Sequence, residues 1–211
     1  MRPIRIALTK GRLEKDTVAA LEKIGYDCSQ LHNKGRRLIL EIPGADIEVV
    51  LAKAADVITY VEYGVCDMGV VGKDTIMEHG GSFFEVADLG FGRCRFALAV
   101  RKGIDFYSGY AEKTIATKYP NVTRKYFAEK AMDVRIIKIE GSVELAPLLG
   151  LSDGIVDIVE TGTTLKENGL VVQEDVAPIS ARLIVNTASM KMRKKELDKI
   201  IAQIQNAISR E

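Results

Sequence analysis

The sequence predicts a two-lobed α/β protein built on mainly parallel, mixed sheets. Three observations carry that expectation. Short β-rich runs alternate with longer helical patterns from end to end, the signature of strand and helix layers around a largely parallel sheet. Some short runs are almost continuously apolar, above all Gly154-Ile155-Val156-Asp157-Ile158-Val159, as strands buried on both faces require. The chain also offers two crossings between lobes. One is the Gly-rich Leu89-Gly90-Phe91-Gly92-Arg93, where glycines relax the backbone; the other lies near Ala177-Pro178-Ile179-Ser180. They assign residues 1–90 and 179–211 to one lobe and 91–178 to the second.

In order along the chain, an apolar strand over residues 3–8 leads through Thr9-Lys10-Gly11-Arg12 into a helix over 13–24. Strands over 38–42 and 47–51 precede a helix over 52–63. A short strand over 68–71 ends at Gly72, with Asp74 set to cap the helix after it. Strands over 83–89 and 95–100 flank the first crossing. The second lobe continues with strands over 113–117, 134–139, 155–159 and 170–176, and helices over 118–131 and 142–149. A strand over 182–185 and a helix over 191–207 close the chain. In that helix Leu197, Ile200, Ile201, Ile204 and Ile208 keep the 3.6-residue period, with Lys and Glu opposite.

Composition narrows the function. The chain has 211 residues with a formal net charge of +1, 47% hydrophobic and 28% charged, which excludes disordered and collagen-like classes. Near-neutral balance removes the bulk electrostatic case for nucleic acid or an anionic membrane, but not for a small anion. Cys28, Cys66 and Cys94 stand apart with only two histidines available, so they read as thiols in a reducing compartment rather than zinc ligands. No apolar stretch reaches the ~18 residues of a membrane span or resembles a secretory core, and a soluble, cytoplasmic protein is expected.

The strongest local motif is Val156-Asp157-Ile158-Val159-Glu160-Thr161-Gly162-Thr163-Thr164-Leu165. A buried strand ends in acids and turns through hydroxyl, glycine, hydroxyl and hydroxyl into a short helical segment. Glycine admits a ligand close to the backbone, successive amides can form an anion-binding concavity, and threonines add donors. The plain alternative is a strand–helix turn in which Thr163 or Thr164 caps the helix. Glu140, Asp153 and Asp157 stand at neighbouring strand ends. Carboxylates repel a bare phosphate but accept from ribose hydroxyls or bind a metal, so a sugar phosphate meets both needs.

A second polar loop, Thr9-Lys10-Gly11-Arg12, sets two cations around a glycine at a helix start, which favours an anion such as a nucleotide phosphate. It lacks the spacing of a Walker A loop. Lys34, Arg36, Arg37 and Lys53 extend that field. Gly69 and Gly72 in Asp67-Met68-Gly69-Val70-Val71-Gly72-Lys73-Asp74 suggest close backbone approach, for example to a planar base. His32 and His79 share no catalytic partner, and no Ser/His/Asp or Cys/His set can be assembled.

The run from Glu144 to Leu165 resembles the signature of the ATP phosphoribosyltransferase family. It agrees at Glu144, Gly150, Ser152, Ile155, Asp157, Thr161, Gly162, Thr163, Thr164 and Leu165. TKGRL at 9–13, DVITYVEYG at 56–64 and GVVGKDT at 69–75 are similar to the same family. The resemblance implies a fold like the type II periplasmic binding proteins, with the site in an interlobe cleft. It implies that N1 of ATP attacks C1 of phosphoribosyl pyrophosphate with Mg²⁺, the first step of histidine biosynthesis. Thr161, Gly162, Thr163 and Thr164 would hold the 5-phosphate, with Glu140, Asp153 and Asp157 as candidates for the ribose. Lys10, Gly11, Arg12, Gly72 and Asp74 would face ATP. The family usually carries Arg where this chain has Lys53, and Lys lacks the bidentate geometry suited to pyrophosphate; Arg36 and Arg37 are further candidates.

The length resembles the family's short form, which implies a separate regulatory subunit resembling histidyl-tRNA synthetase in a hetero-oligomer. Competing readings are a non-catalytic small-molecule binding or sensor module of the same fold, and a purine or pyrimidine phosphoribosyltransferase. The latter typically sets paired acids directly before the loop, whereas Val159-Glu160 supplies one.

Overall fold

The computed structural model describes residues 2–208, which divide into two units, 2–92 with 180–208 and 93–179. The first unit comprises β1 (Ile4–Thr9), α1 (Arg12–Lys23), α2 (Ser29–His32), β2 (Ile39–Glu41), β3 (Ile47–Ala52), α3 (Ala54–Glu62), β4 (Met68–Gly72), α4 (Lys73–His79) and β5 (Phe83–Asp88). The second comprises β6 (Cys94–Arg101), β7 (Lys113–Thr117), α5 (Pro120–Glu129), β8 (Val134–Lys138), α6 (Leu145–Leu148), β9 (Gly154–Val159), α7 (Thr163–Glu167) and β10 (Leu170–Ile179). The chain then returns to the first with β11 (Ala181–Asn186), α8 (Thr187–Met192) and α9 (Lys194–Ile208).

The first unit holds a six-stranded sheet in the order β2-β3-β1-β4-β11-β5, the second a five-stranded sheet in the order β10-β6-β9-β7-β8. Parallel pairing joins β1 to β3 and β4, and β7 to β8 and β9. The remaining pairings are antiparallel, so the parallel strands β3, β1 and β4 form the middle of the first sheet and β9, β7 and β8 one side of the second. Within each parallel set the carboxyl ends share one edge, which is where loops of an α/β sheet gather ligands.

Strand alternation divides the apolar residues between two faces. Ile4, Ile6 and Leu8 join Val18 and Leu21 of α1 and Leu197, Ile200, Ile201 and Ile204 of α9 on one face. Ala7 joins Val57, Ile58 and Val61 of α3 on the other. Gly69 serves this packing, since a Cβ there would stand 2.8 Å from methyl carbons of both Val57 and Val61. Its close approach is to helix α3 rather than to a base.

Some helices differ from the sequence pattern beyond a residue or two at their ends. The expected helix over 142–149 shrinks to the one turn of α6. The last helix begins earlier and is broken, as α8 and α9 meet at Arg193. Asn186 starts α8, its side-chain oxygen accepting from the Ala188 and Ser189 amides at 3.0 and 2.8 Å. The buried Arg193 guanidinium lies 3.5 Å from the buried Asp67 carboxylate, a long-range pull that helical periodicity does not register. Asp74, finally, is not a cap. Gly72 holds the N-cap position, and Asp74 sits inside the first turn of α4, where the positive helix end still favours an acid.

Candidate active site

In the second unit a cavity of about 420 Å³ is lined by Glu144 and by the continuous stretch from Asp157 to Leu165. Gly162 occupies the left-handed region at φ 79°, which turns the chain from β9 into α7 and is open to few side chains. The Thr161 and Thr163 hydroxyls lie 3.0 Å apart, and the Thr163 amide donates to the Thr161 hydroxyl at 3.4 Å. Neither Thr163 nor Thr164 caps α7. That helix has five residues, too short for a strong macrodipole, so an anion here would depend on loop amides and hydroxyls.

The cavity's acids are unequal. Asp157 is half-buried, and burial pushes its carboxyl up from the ordinary value. The Ile158 amide, donating at 2.8 Å, opposes that rise, Glu144 adds to it and Lys118 opposes it. Glu144 stands just before α6 and was read in the sequence only as part of the signature; the fold turns it to the cavity beside Asp157.

The other two acids separate. Glu140 follows β8 on the same carboxyl edge as the loop but two strands away, exposed and ion-paired with Lys138 at 2.7 Å, which lowers its pKa. Asp153 precedes β9, so the whole strand separates it from Thr161, about 20 Å at ~3.3 Å per residue. Its carboxylate accepts from the Thr114 amide at 2.7 Å and holds the amino ends of β7 and β9 together. The structure does not bring Asp153 to the cavity.

In the first unit the sheet order draws scattered loops to one edge. Lys10, Gly11 and Arg12 follow β1, Lys53 follows β3, and Gly72 ends β4 with Asp74 just beyond. Because β2 runs antiparallel to β3, its start also falls on this edge, where the Leu51 amide donates to the Leu38 carbonyl at 2.8 Å. Arg36 and Arg37 therefore stand beside Lys53. The edge reads Arg36 and Arg37, then Lys53, then Lys10 to Arg12, then Gly72 to Asp74.

These cations are engaged to different degrees. Lys34 pairs with the buried Glu14, whose other oxygen accepts from the Gly11 amide at 3.4 Å. Arg37 turns back, donating to the Asn33 carbonyl at 3.0 Å and the Lys34 carbonyl at 3.3 Å. Lys10, Arg36 and Lys53 are exposed, with side chains that form no hydrogen bond or ion pair among the described residues. Such a row of unpaired cations attracts polyanions.

Residues 53–206 match the family model described as HisG: ATP phosphoribosyltransferase. An ATP phosphoribosyltransferase of Clostridium kluyveri is 61% identical over 208 residues, covering 99% of this chain and 95% of the relative. The chain belongs to the ATP phosphoribosyltransferase family. Another family member, from Clostridium acetobutylicum, is 58% identical over 210 residues, covering 100% of this chain and 98% of its own. Among solved structures, an ATP phosphoribosyl transferase (HisG:HisZ) complex from Thermotoga maritima shares 36% identity at a TM-score of 0.81, covering 99% of this chain and 100% of that one.

The periplasmic aliphatic sulphonate binding protein SsuA from Escherichia coli superposes at a TM-score of 0.61 with 12% identity, over 99% of this chain and 69% of that one. This likeness shows the two-lobed binding-protein fold alone. A non-catalytic module of the same fold is not favoured, because the full-length relatives in the ATP phosphoribosyltransferase family are transferases. No helix among the described residues is long and apolar enough to cross a membrane.

Proposed function

We propose that this chain catalyses the first step of histidine biosynthesis, joining N1 of ATP to C1 of phosphoribosyl pyrophosphate. The observation that carries the reading is the cavity lined by Thr161, Gly162, Thr163 and Thr164 together with Asp157 and Glu144. Loop amides and hydroxyls suit the 5-phosphate, while Asp157 and Glu144 suit ribose hydroxyls, which donate to them. Glu140 remains an outer candidate on the same edge. ATP is assigned to the first unit's edge at Lys10, Gly11, Arg12, Gly72 and Asp74, and pyrophosphate to Arg36, Arg37 and Lys53.

The chemistry needs no strong protein base. The C1–N1 bond forms as the bond from C1 to pyrophosphate oxygen breaks, and pyrophosphate leaves with the electron pair. Charge builds on the leaving oxygens and on a cation-like ribose, so positioning and electrostatic stabilisation dominate. The charge of the cationic row suits the first, and the carboxylates of Asp157 and Glu144 suit the second. No group of three or more His, Cys, Asp or Glu that could cage a metal occurs among the described residues. Mg²⁺ would arrive with the substrate and would help to neutralise the leaving pyrophosphate, as suits an ion that favours waters and phosphate ligands.

The Thermotoga maritima relative's occurrence as a HisG:HisZ complex supports a hetero-oligomer with a separate, histidyl-tRNA-synthetase-like regulatory subunit. A cytoplasmic location follows from the substrates. The test is pyrophosphate release from phosphoribosyl pyrophosphate, with and without that subunit. Release with ATP, but not with orotate or free purine bases, is expected; release with a free base, or no release with ATP under either condition, overturns the assignment.

A further inference from the structure

The phosphoribosyl cavity has an electrostatic imbalance. Its lining includes Glu144, Asp157 and Glu160 but no lysine or arginine, yet on the reading above it receives a phosphate dianion. The missing charge lies one strand away. Thr117, the last residue of β7, pairs with Val156 of β9, so the following residues, Lys118 and Asp157, stand in register. Ala116 and Ile155 share the face on which Val143 and Ala146 pack, and the period of two returns Lys118 and Asp157 to it. Lys118 is exposed and forms no hydrogen bond or ion pair among the described residues.

We propose that Lys118 is a positioning residue of the phosphoribosyl site, the counter-charge that keeps Asp157 ionised to accept a ribose hydroxyl while the 5-phosphate occupies the adjacent loop. The inference rests on the phosphoribosyl pyrophosphate reading and deepens it.

The surrounding charges leave this task to Lys118. Glu144 from the α6 side and Glu160 beyond β9 are both negative. Beside β8, Glu140 pairs with Lys138 at 2.7 Å and also feels the charge of Lys118. On β6, Arg95 donates to Asp175 at 2.6 Å and to the Glu160 carbonyl at 3.5 Å. Lys166 lies in the last turn of α7, past the loop residues. Burial and Glu144 favour the neutral acid at Asp157, whereas the Ile158 amide and Lys118 favour the carboxylate. An arriving dianion adds to the first pair, so Lys118, the cation in register with Asp157, becomes decisive.

The experiment compares wild type, Lys118→Met and Lys118→Arg, each with the regulatory subunit. It reads melting temperature and the pH profiles of kcat/KM for phosphoribosyl pyrophosphate and for ATP. For Lys118→Met, the acidic limb of the phosphoribosyl pyrophosphate profile is expected to move up by about half a pH unit or more. At low pH this lowers kcat/KM roughly three- to tenfold while melting stays unchanged, and Lys118→Arg restores the limb. A Lys118→Met profile that superposes on wild type overturns the inference. So does a loss equal at every pH, or one that Lys118→Arg fails to rescue. If wild type itself releases no pyrophosphate with ATP, the underlying functional reading fails instead.

Discussion

The Asp74 carboxylate fills the space that a Cβ on Gly72 would need. Gly72 has φ −69°, which any residue adopts, so glycine is required here for room and not for backbone freedom. Gly72→Ala is expected to turn Asp74 aside and raise KM for ATP several-fold. In an Asp74→Ala background the same substitution has nothing to displace and should be nearly neutral, giving a coupling of about 1 kcal/mol or more in a double-mutant cycle. Additive effects would refute the steric link.

Gly162 is the opposite case. Its left-handed conformation costs an L-residue roughly 1–2 kcal/mol, but a Cβ would meet only Val159, at an ordinary 3.7 Å. Gly162→Val should therefore fold with a moderately lower melting temperature. Its kcat/KM for phosphoribosyl pyrophosphate should fall at least about tenfold, because the phosphate can no longer approach the backbone. Unchanged steady-state kinetics would remove this loop from the phosphate site.

Asp157 should show a trade of stability for function. Burial raises its pKa in the fold, so its ionisation costs stability, and that cost grows as pH rises through the folded value. Asp157→Asn keeps an oxygen for the Ile158 amide and removes the charge. The variant is expected to melt above wild type at pH 8, with the gain shrinking on acidification, while turnover falls sharply. A lower melting temperature at pH 8 would contradict the assigned cause.

Asp153 should behave in reverse. Its carboxylate joins two strand starts through the Thr114 amide, far from the cavity along β9. Asp153→Ala is expected to cost about 1 kcal/mol of stability in urea unfolding and leave KM for phosphoribosyl pyrophosphate unchanged. A raised KM with unaltered stability would return Asp153 to the ribose.

The neighbouring arginines should separate in the same way. Arg37 spends its guanidinium on backbone carbonyls, so Arg37→Ala should register mainly in melting. Arg36 has no such partner among the described residues, and Arg36→Ala should weaken pyrophosphate inhibition several-fold and flatten its salt dependence. Identical behaviour of the two variants would argue against a distinct anion-facing role for Arg36.

How far the sequence could be read follows from the range of the forces involved. The strands were visible because burial on two faces demands continuous apolar runs, as in 154–159. The proposed phosphate loop was visible because its chemistry is local to Thr161, Gly162, Thr163 and Thr164. Sheet order was not. It joins Arg36, Lys53, Lys10 and Asp74 on one edge, sends Asp153 to the far end of its strand, and places Lys118 beside Asp157. The Arg193 break was equally hidden, since it depends on Asp67 more than a hundred residues earlier. Asn186 is the exception, a capping residue whose signal is local but stands ahead of the apolar period.

The antiparallel seam between β4 and β11 has a consequence during synthesis. Residues 93–179, which form the second unit, leave the ribosome as one uninterrupted stretch and can complete their own sheet. The first unit has by then made β4, a strand buried along its full length, but the strand that covers it starts only at Ala181. Until residues 181–186 emerge, the edge of β4 is open to any passing strand. The nascent chain thus carries an open strand edge in the part translated first, and β11 covers it only after the whole second unit has been made.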